Sequence, residues 1–241
     1  MTTLISERSS EPWRRRLYLP NYQIGEASRY AQISPQTVAA WHKVTAGRNG
    51  ATLSLKEKRA ALSYMQLIEV AVVAAIRRVG ISLKKIRDAR EYVSKQLHAE
   101  YPFAQYRFKT EGKHLLMDYK QIEGRKGQGK HLVADQWGQL EWDQIIGPLL
   151  KEFEYEGDGE SIVIRWHVAG PSSPIVIDPR YSFGAPIVNG TPTWVIKGRW
   201  NAGESDTDIA TDFGLTKDLI REALKFEGVL PNGGKGKSRL N

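Results

Sequence analysis

Residues 25–43 (GEASRYAQISPQTVAAWHK) carry the start and stop signals of two short helices joined by a tight turn. Residues 26–32 suit one helix, and Ser34 followed by Pro35 supplies an N-cap and a first helical residue for the second. Apolar side chains fall where two crossed helices would touch, namely Ala27, Ala31, Val38 and Trp41. The spacing therefore predicts a helix-turn-helix whose second helix begins at Pro35.

The polar residues of this segment are the candidates for contacting DNA. In helix-turn-helix proteins the second helix enters the major groove, where polar and basic side chains meet base edges and phosphates. A turn at 47–51 (GRNGA) follows, and an arginine there would reach the DNA backbone as part of a small wing. The predicted DNA-binding residues are Arg29, Ser34, Gln36, Thr37, His42, Lys43 and Arg48.

The positive charge of the chain is concentrated in the half that contains this motif. Residues 1–100 hold 17 Lys and Arg against 8 Asp and Glu, whereas residues 101–241 hold 18 against 19. A basic half alone would equally describe a solvated surface. Beside a helix-turn-helix it is the electrostatic footprint that phosphate binding requires.

Composition and motif content exclude several classes of protein. The chain has no cysteine, so disulfides, thiolate metal sites and thiol catalysis are excluded. The histidines lack ligand spacing, and no hydrolase or kinase signature occurs. The N-terminus lacks a signal-peptide core, and the most apolar run, 65–76, is too short to span a membrane. We therefore expect a cytoplasmic protein that is not an enzyme, with no cofactor, no metal and no membrane partner.

Five segments are expected from the changes in texture along the chain. Residues 1–17, which include Arg14, Arg15 and Arg16, suit a flexible basic arm. A DNA-binding domain of 18–100 follows, with long helices over 62–79 and 83–97. The next segment, 101–170, is expected to be a mixed, β-rich connector with a helical stretch over 140–153 and short strands at 106–110, 114–119, 130–135 and 161–168.

A second helix pair closes the ordered part of the chain, at 205–227. Ser205 and Thr216 are the predicted N-caps, and residues 213–215 form the turn. The first half of this pair is acidic, with Glu204, Asp206, Asp208 and Asp212, so a protein surface is a better partner than DNA. We expect a small helical domain over 171–228 and a disordered basic tail over 229–241.

Two stretches of sequence resemble known families. Residues 22–97, with GEASRYAQISPQTVAAW, GRNGA and LSYMQLIEVAVVAAIRRVGISLKKIRDA, resemble the MerR-type winged helix-turn-helix. The long coil and the cysteines of sensing regulators are missing, so an inducer-sensing role does not carry over. The C-terminal run IDPRYSFGAPIVNGTPTWVI, continued by GESDTDIATDFGLTKDLIREAL, looks like a small domain family common in bacterial toxin–antitoxin cassettes. That family usually has arginine where this chain has Pro192.

In this order, the two resemblances are similar to one branch of VapB-like antitoxins of type II toxin–antitoxin systems. The resemblance implies an α+β fold, with an N-terminal MerR-like winged helix-turn-helix, a β-rich connector and a C-terminal small helical, helix-turn-helix-like domain. It also implies that the chain binds its own operator DNA, represses its operon as a homodimer and neutralises a cognate PIN-domain ribonuclease toxin.

The toxin contact is predicted from charge. A PIN ribonuclease holds metal in a carboxylate cluster, as the family implies, and a flexible basic segment could occupy that cluster through Lys235, Lys237 and Arg239. If the tail is dispensable, the folded domain of 171–228 is the contact. The alternative function is a stand-alone MerR-like transcriptional regulator without a toxin partner. A nucleic-acid-processing enzyme would need a convergent acid cluster, which the sequence does not suggest.

Overall fold

The structure is a computed structural model that describes residues 12–44, 51–56, 59–78, 80, 82–105, 151–156 and 162–229. The chain divides into two compact units, Met1–Ile164 and Arg165–Asn241. Each unit is described by itself below. The finer division into five segments stays a prediction.

The first unit is built from helices. In chain order these are α1 (Pro12–Arg16), α2 (Ile24–Ala31), α3 (Pro35–Trp41), α4 (Tyr64–Arg78), α5 (Leu83–Leu97) and α6 (Pro102–Gln105). The centre of the unit is α4, because every residue from Tyr64 to Ile76 is buried and both α2 and α6 pack against it. The helices expected around 26–32, after Ser34, over 62–79 and over 83–97 are confirmed, with boundaries shifted by no more than two residues.

Residues 12–17, the last part of the flexible basic arm expected over 1–17, are folded onto the first unit. Residues 12–16 form α1, and the Leu17 side chain after it is fully buried. The Met65 N–H donates to the Leu17 carbonyl at 3.1 Å, and Arg14 pairs with Glu156 at 2.7 Å. Burying Leu17 offsets the entropy of ordering this stretch. The first eleven residues of the arm lie outside the described residues.

Five short strands form one antiparallel sheet in the order β1 (Phe153–Tyr155), β2 (Val163–His167), β3 (Ile175–Ile177), β4 (Pro186–Val188) and β5 (Thr191–Pro192). The strand expected at 161–168 is confirmed as β2. The sequence analysis placed Phe153 at the end of a helical stretch. In the structure Phe153 begins β1 and its side chain is buried. The three other predicted strands, and residues 140–150 of that stretch, lie outside the described residues.

The second unit combines strands with three helices, α7 (Thr193–Asn201), α8 (Asp206–Phe213) and α9 (Lys217–Phe226). The sequence predicted a helical domain here, and that expectation is wrong, because β3, β4 and β5 lie in the same segment. The buried side chains of α9, Ile220, Ala223 and Leu224, face a core shared with α7, α8, β3 and β4. The fold is therefore α+β, as expected. Both predicted N-caps are confirmed, since Ser205 Oγ accepts from Asp208 N at 3.1 Å and Thr216 Oγ1 from Leu219 N at 3.3 Å.

Candidate nucleic-acid interface

The start of α3 and the residues that anchor it fix its position in the first unit. Ser34 Oγ accepts the Thr37 N–H at 3.1 Å, and Pro35 occupies the first helical position, where no backbone donor is needed. Just past its end, the Trp41 carbonyl accepts the Leu53 N–H at 3.0 Å. Val38 and Trp41 are buried, so one face of α3 is anchored in the core and the opposite face stays at the surface.

The turn between α2 and α3 sets the angle of the pair. Gln32 adopts a left-handed conformation (φ 54°, ψ 44°) that closes α2. The Gln32 N–H donates to Arg29 O at 3.3 Å and the Ile33 N–H to Ser28 O at 3.0 Å, the two bonds of a Schellman motif. The Ala31 carbonyl accepts from Arg78 Nη2 at 2.8 Å. These bonds hold the pair in one geometry.

Five of the seven predicted DNA-binding residues lie at or near the surface of this pair. The side chains of Arg29, Gln36 and Lys43 are exposed. Ser34 is exposed too, but its hydroxyl is engaged as the helix cap. Thr37 is half-buried and its Oγ1 lies 2.8 Å from Ser34 Oγ. The helix pair therefore offers one amide and two cationic side chains to a ligand, with two hydroxyls beside them.

His42 is the predicted site residue that the structure removes from the surface. Its side chain is 3% exposed, and Nδ1 lies 2.6 Å from the Ser54 carbonyl. Burial lowers its pKa, with Lys56 and Arg90 acting in the same direction and the hydrogen bond to Ser54 opposing them. The His42 side chain, which follows the last residue of α3, is therefore buried against the Ser54 carbonyl. It is not available to base edges or phosphates.

A buried ion pair lies behind this histidine, and the sequence analysis did not identify it. Glu69 on α4 is fully buried and meets Arg90 of α5 at 3.4 Å, while the Ser54 N–H donates to its Oε2 at 3.4 Å. Burial raises the pKa of Glu69, and Arg90 and Ser54 oppose that shift. Because Ser54 contacts both Glu69 and His42, the pair couples α4 and α5 to the end of α3.

A cleft of about 470 Å³ opens on the other side of this network, between α5 and residues 51–55. Exposed Val44 and Leu55 contribute to its lining, as do the basic side chains of Arg87 and Lys95. Lys95 is paired with Glu91 at 2.6 Å. Among the charged residues that line the cleft, Arg87, Arg90 and Lys95 outnumber Glu91. The wing residue Arg48 itself lies outside the described residues.

The helix pair of the second unit presents a different surface. Arg199 of α7 donates to Glu204 and, at 2.6 Å, to Asp212 Oδ2, and its guanidinium lies 5.3 Å from the Phe213 ring centroid. Arg221 pairs with Asp206 at 2.8 Å. Three of the four acidic residues that set this pair apart in the sequence, Glu204, Asp206 and Asp212, thus balance arginines of the same unit. The predicted toxin-binding residues Lys235, Lys237 and Arg239 lie outside the described residues.

The part of the chain that the structure describes offers little else in the way of sites. No group of three or more His, Asp or Glu side chains there is arranged to hold a metal ion. Within the same residues no helix is both long and apolar enough to cross a membrane. The candidate site is the surface of α2 and α3 that carries the exposed side chains of Arg29 and Gln36, with Lys43 just after α3.

Comparison with known proteins gives a family match in the second unit. Residues 175–226, from the start of β3 to the end of α9, match the model of a family described as "Protein of unknown function (DUF433)". The match includes β3, β4 and β5 and the acidic helix pair. It covers the C-terminal segment whose likeness to a toxin–antitoxin domain family was noted from the sequence.

A relative covers nearly the whole chain. It is the Mycobacterium tuberculosis protein named "Putative antitoxin VapB45", 25% identical over 230 residues, which are 87% of this chain and 94% of the relative. The X-ray crystal structure of Rv2018 from M. tuberculosis shares the fold, with a TM-score of 0.59 and 22% identity over 87% of this chain and 99% of that one. Together, the relative and the family match support a relationship to the antitoxins of toxin–antitoxin systems.

Proposed function

We propose that this chain is a DNA-binding antitoxin that represses its own operon and neutralises a PIN-domain ribonuclease toxin. The observation that carries the proposal is the similarity, along 87% of the chain, to a relative that is named as an antitoxin. That similarity favours a regulatory protein over an enzyme. Homodimerisation belongs to the same proposal, because two-fold operators are read by two copies of a helix-turn-helix.

The first unit would bind the operator as a MerR-like winged helix-turn-helix. In that arrangement α3 enters the major groove and Gln36 reaches a base edge, where an amide pairs well with adenine. Arg29 and Lys43 sit on phosphates, and Ser34 and Thr37 add hydroxyl contacts at the start of the helix. Arg48 remains a proposed backbone contact. His42 is left out because it is buried.

We expect Lys43→Ala to weaken binding to every DNA sequence alike. Each lost phosphate contact reduces the dependence of log K on log salt by about one unit. Lys217→Ala is the matched control, since Lys217 is an exposed lysine at the first residue of α9, the second helix of the other pair. Fluorescence anisotropy with the DNA upstream of this gene, titrated between 50 and 200 mM salt, roughly the range over which such contacts lose affinity, measures both slopes.

A Lys43→Ala slope equal to that of the unmodified protein would remove Lys43 from the interface. Gln36→Ala tests the base contact separately. It should lower the preference for the operator over unrelated DNA by about 10-fold, as expected for one amide–base pair, and leave the salt slope unchanged. If the unmodified protein shows no preference for its upstream DNA, the operator-binding half of the proposal is wrong.

The toxin-binding half of the proposal is tested with the product of the reading frame beside this gene. Co-purification of the two proteins is the expected outcome, together with loss of the partner's ribonuclease activity in the complex. A version of this chain ending at residue 228 separates the two candidate contacts. Lost binding in that version would assign the contact to the tail with Lys235, Lys237 and Arg239, and retained binding would assign it to the folded unit.

A further inference from the structure

The cleft between α5 and residues 51–55 is lined by a hydroxyl that the fold itself does not use. Ser54 lines the cleft and is 6% exposed. Its backbone is engaged on both sides, because the N–H donates to Glu69 and the carbonyl lies against His42 Nδ1. Its Oγ is buried, and no hydrogen bond joins that atom to another of the described residues. Buried polar atoms in folded proteins nearly always have a partner, so this hydroxyl indicates a group from outside the polypeptide.

One of the three basic side chains that line the same cleft is not neutralised within the described residues. Arg90 is paired with Glu69 at 3.4 Å, and Lys95 is paired with Glu91 at 2.6 Å. The third, Arg87, is half-buried. In the part of the chain that the structure describes, no hydrogen bond or ion pair engages its guanidinium. A guanidinium in this state, at the wall of a cleft, suits an anion.

The remainder of the cleft is mostly apolar. Val44 is 60% exposed and Leu55 is 64% exposed, and Ala51 and Leu53 complete this part of the lining. The volume of about 470 Å³ falls within the range of small-molecule sites, roughly 300–1,000 Å³. A DNA strand would satisfy Arg87 but would gain nothing from covering two exposed apolar side chains. A small anion with an apolar body uses both parts of the lining.

We propose that this cleft binds a small organic anion, a carboxylate carried on an apolar chain. The carboxylate accepts hydrogen bonds from the Arg87 guanidinium and the Ser54 hydroxyl, and the chain lies on Val44 and Leu55. A carboxylate fits better than a doubly charged phosphate monoester, because the described lining supplies one guanidinium that is not already paired. This site does not depend on the proposed antitoxin function, since no described residue of the lining is a predicted DNA-binding residue.

The test uses the full chain, labelled with ¹⁵N and titrated with octanoate at about pH 7, where a carboxyl group is ionised. We expect the amide resonances of residues 51–55 and of α5 to shift and to saturate. The dissociation constant should be about 1 mM, as expected for a ligand of about ten non-hydrogen atoms. Octanamide keeps the chain without the charge, and acetate keeps the charge without the chain. Each should bind at least about 10-fold more weakly than octanoate.

Two variants test the polar groups of the site. Arg87→Gln should weaken octanoate binding at least about 10-fold, the loss expected for one charge-assisted hydrogen bond. Ser54→Ala should weaken it about fivefold, as for a neutral hydrogen bond. The same change should leave the urea midpoint of the free chain no lower, because the hydroxyl bonds to no described residue. Arg15→Gln is the control, since Arg15 is an exposed arginine of α1 outside the described lining, and should change the constant less than about twofold.

Three outcomes would overturn the proposal, and each leaves the antitoxin function standing. If octanoate shifts no resonance of residues 51–55, the cleft is not a carboxylate site. If octanamide binds as tightly as octanoate, the cleft does not select for anions. If Arg87→Gln leaves octanoate binding unchanged but reduces the salt slope of operator binding by about one unit, Arg87 contacts a DNA phosphate instead.

Discussion

The two helix pairs of this protein share one turn and differ in what they show to solvent. In α2–α3 a left-handed Gln32 is followed by Ile33 and the cap Ser34; in α8–α9 a left-handed Gly214 is followed by Leu215 and the cap Thr216. The backbone bonds also correspond, since Leu215 N donates to Ala210 O at 2.9 Å as Ile33 N does to Ser28 O at 3.0 Å. The shared geometry alone does not say which pair binds DNA.

The surface chemistry separates the two pairs. Gln36 and Lys43 of the first pair are exposed in a half of the chain with nine more basic than acidic residues. In the second pair, Asp206 and Asp212 are bonded to Arg221 and Arg199. Phosphate binding requires positive charge at the surface, so the first pair is suited to DNA and the second is not. Function in such modules is decided by side chains placed on a common scaffold.

The largest expected effects come from the cores of the two pairs. Trp41→Ala should destabilise the first unit by about 3–5 kcal/mol, and Ile220→Ala the second by about 2–5 kcal/mol, because each leaves a cavity at a fully packed position. Urea unfolding followed by circular dichroism measures both. We further expect Trp41→Ala to abolish operator binding and Ile220→Ala to abolish toxin binding. Loss of both activities in either variant would contradict the division of labour between the pairs.

Substitutions in the shared turn should have opposite signs in the two pairs. Gly214→Ala is expected to cost about 1–2 kcal/mol, because a side chain disfavours the left-handed conformation, although a Cβ there would meet no atom within 4 Å. Gln32→Gly should stabilise by about 0.5 kcal/mol, since it relieves that strain but adds freedom to the unfolded chain. Thermal denaturation of both variants tests the comparison. If both lose stability equally, the turns are not energetically equivalent.

The last expected effect is an acid response of the first pair that originates at His42. Burial lowers its pKa, so on acidification the unfolded chain takes up a proton below about pH 6.5 while the folded chain does not. The neutral histidine's contribution is complete above that pH and is lost below it, by about 1.4 kcal/mol per pH unit until the folded pKa is reached. The pKa of Glu69 is raised, so the folded chain takes up a proton at Glu69 before the unfolded chain does, and this uptake increases the stability on acidification.

His42→Gln isolates the histidine, because it keeps Glu69 and a side-chain hydrogen-bond donor. The unmodified chain should lose more stability than this variant between pH 7.5 and pH 5.5, a span that brackets the ordinary histidine pKa of about 6.5. Midpoints of urea unfolding at the two pH values provide the measurement. Parallel pH profiles would show that His42 takes up its proton equally in the folded and unfolded states.

Local signals predicted α2, α3, α4 and α5 of the first unit and α8 and α9 of the second. Ser34, Ser205 and Thr216 cap helices where the sequence placed caps, since an N-cap depends on residues only two or three positions away. Glu69 and Arg90 stood out in the sequence as separate charged interruptions of apolar runs. A charged residue that must be buried needs a partner of opposite charge. An acidic residue in one apolar helix and a basic residue in the next could therefore have predicted the ion pair of Glu69 and Arg90.

The remaining features depend on contacts that sequence periodicity does not report. The strands of the second unit have two or three residues, too few to show alternation. The His42 side chain contacts the carbonyl of Ser54, twelve residues further along the chain. The sequence around His42 does not report this contact, so it did not distinguish His42 from the exposed Lys43 next to it. The turn Ser182–Gly184 has positive φ at Phe183, a conformation that a phenylalanine rarely adopts.

The strand at the edge of the sheet has a consequence for how copies of this protein behave at high concentration. β5 consists of Thr191 and Pro192, and α7 begins at the next residue. Proline has no N–H, so β5 offers at most one donor to an incoming strand and has no room to lengthen. Pro192 thus makes this edge a poor template for strand addition, which limits one route to aggregation between copies of the chain.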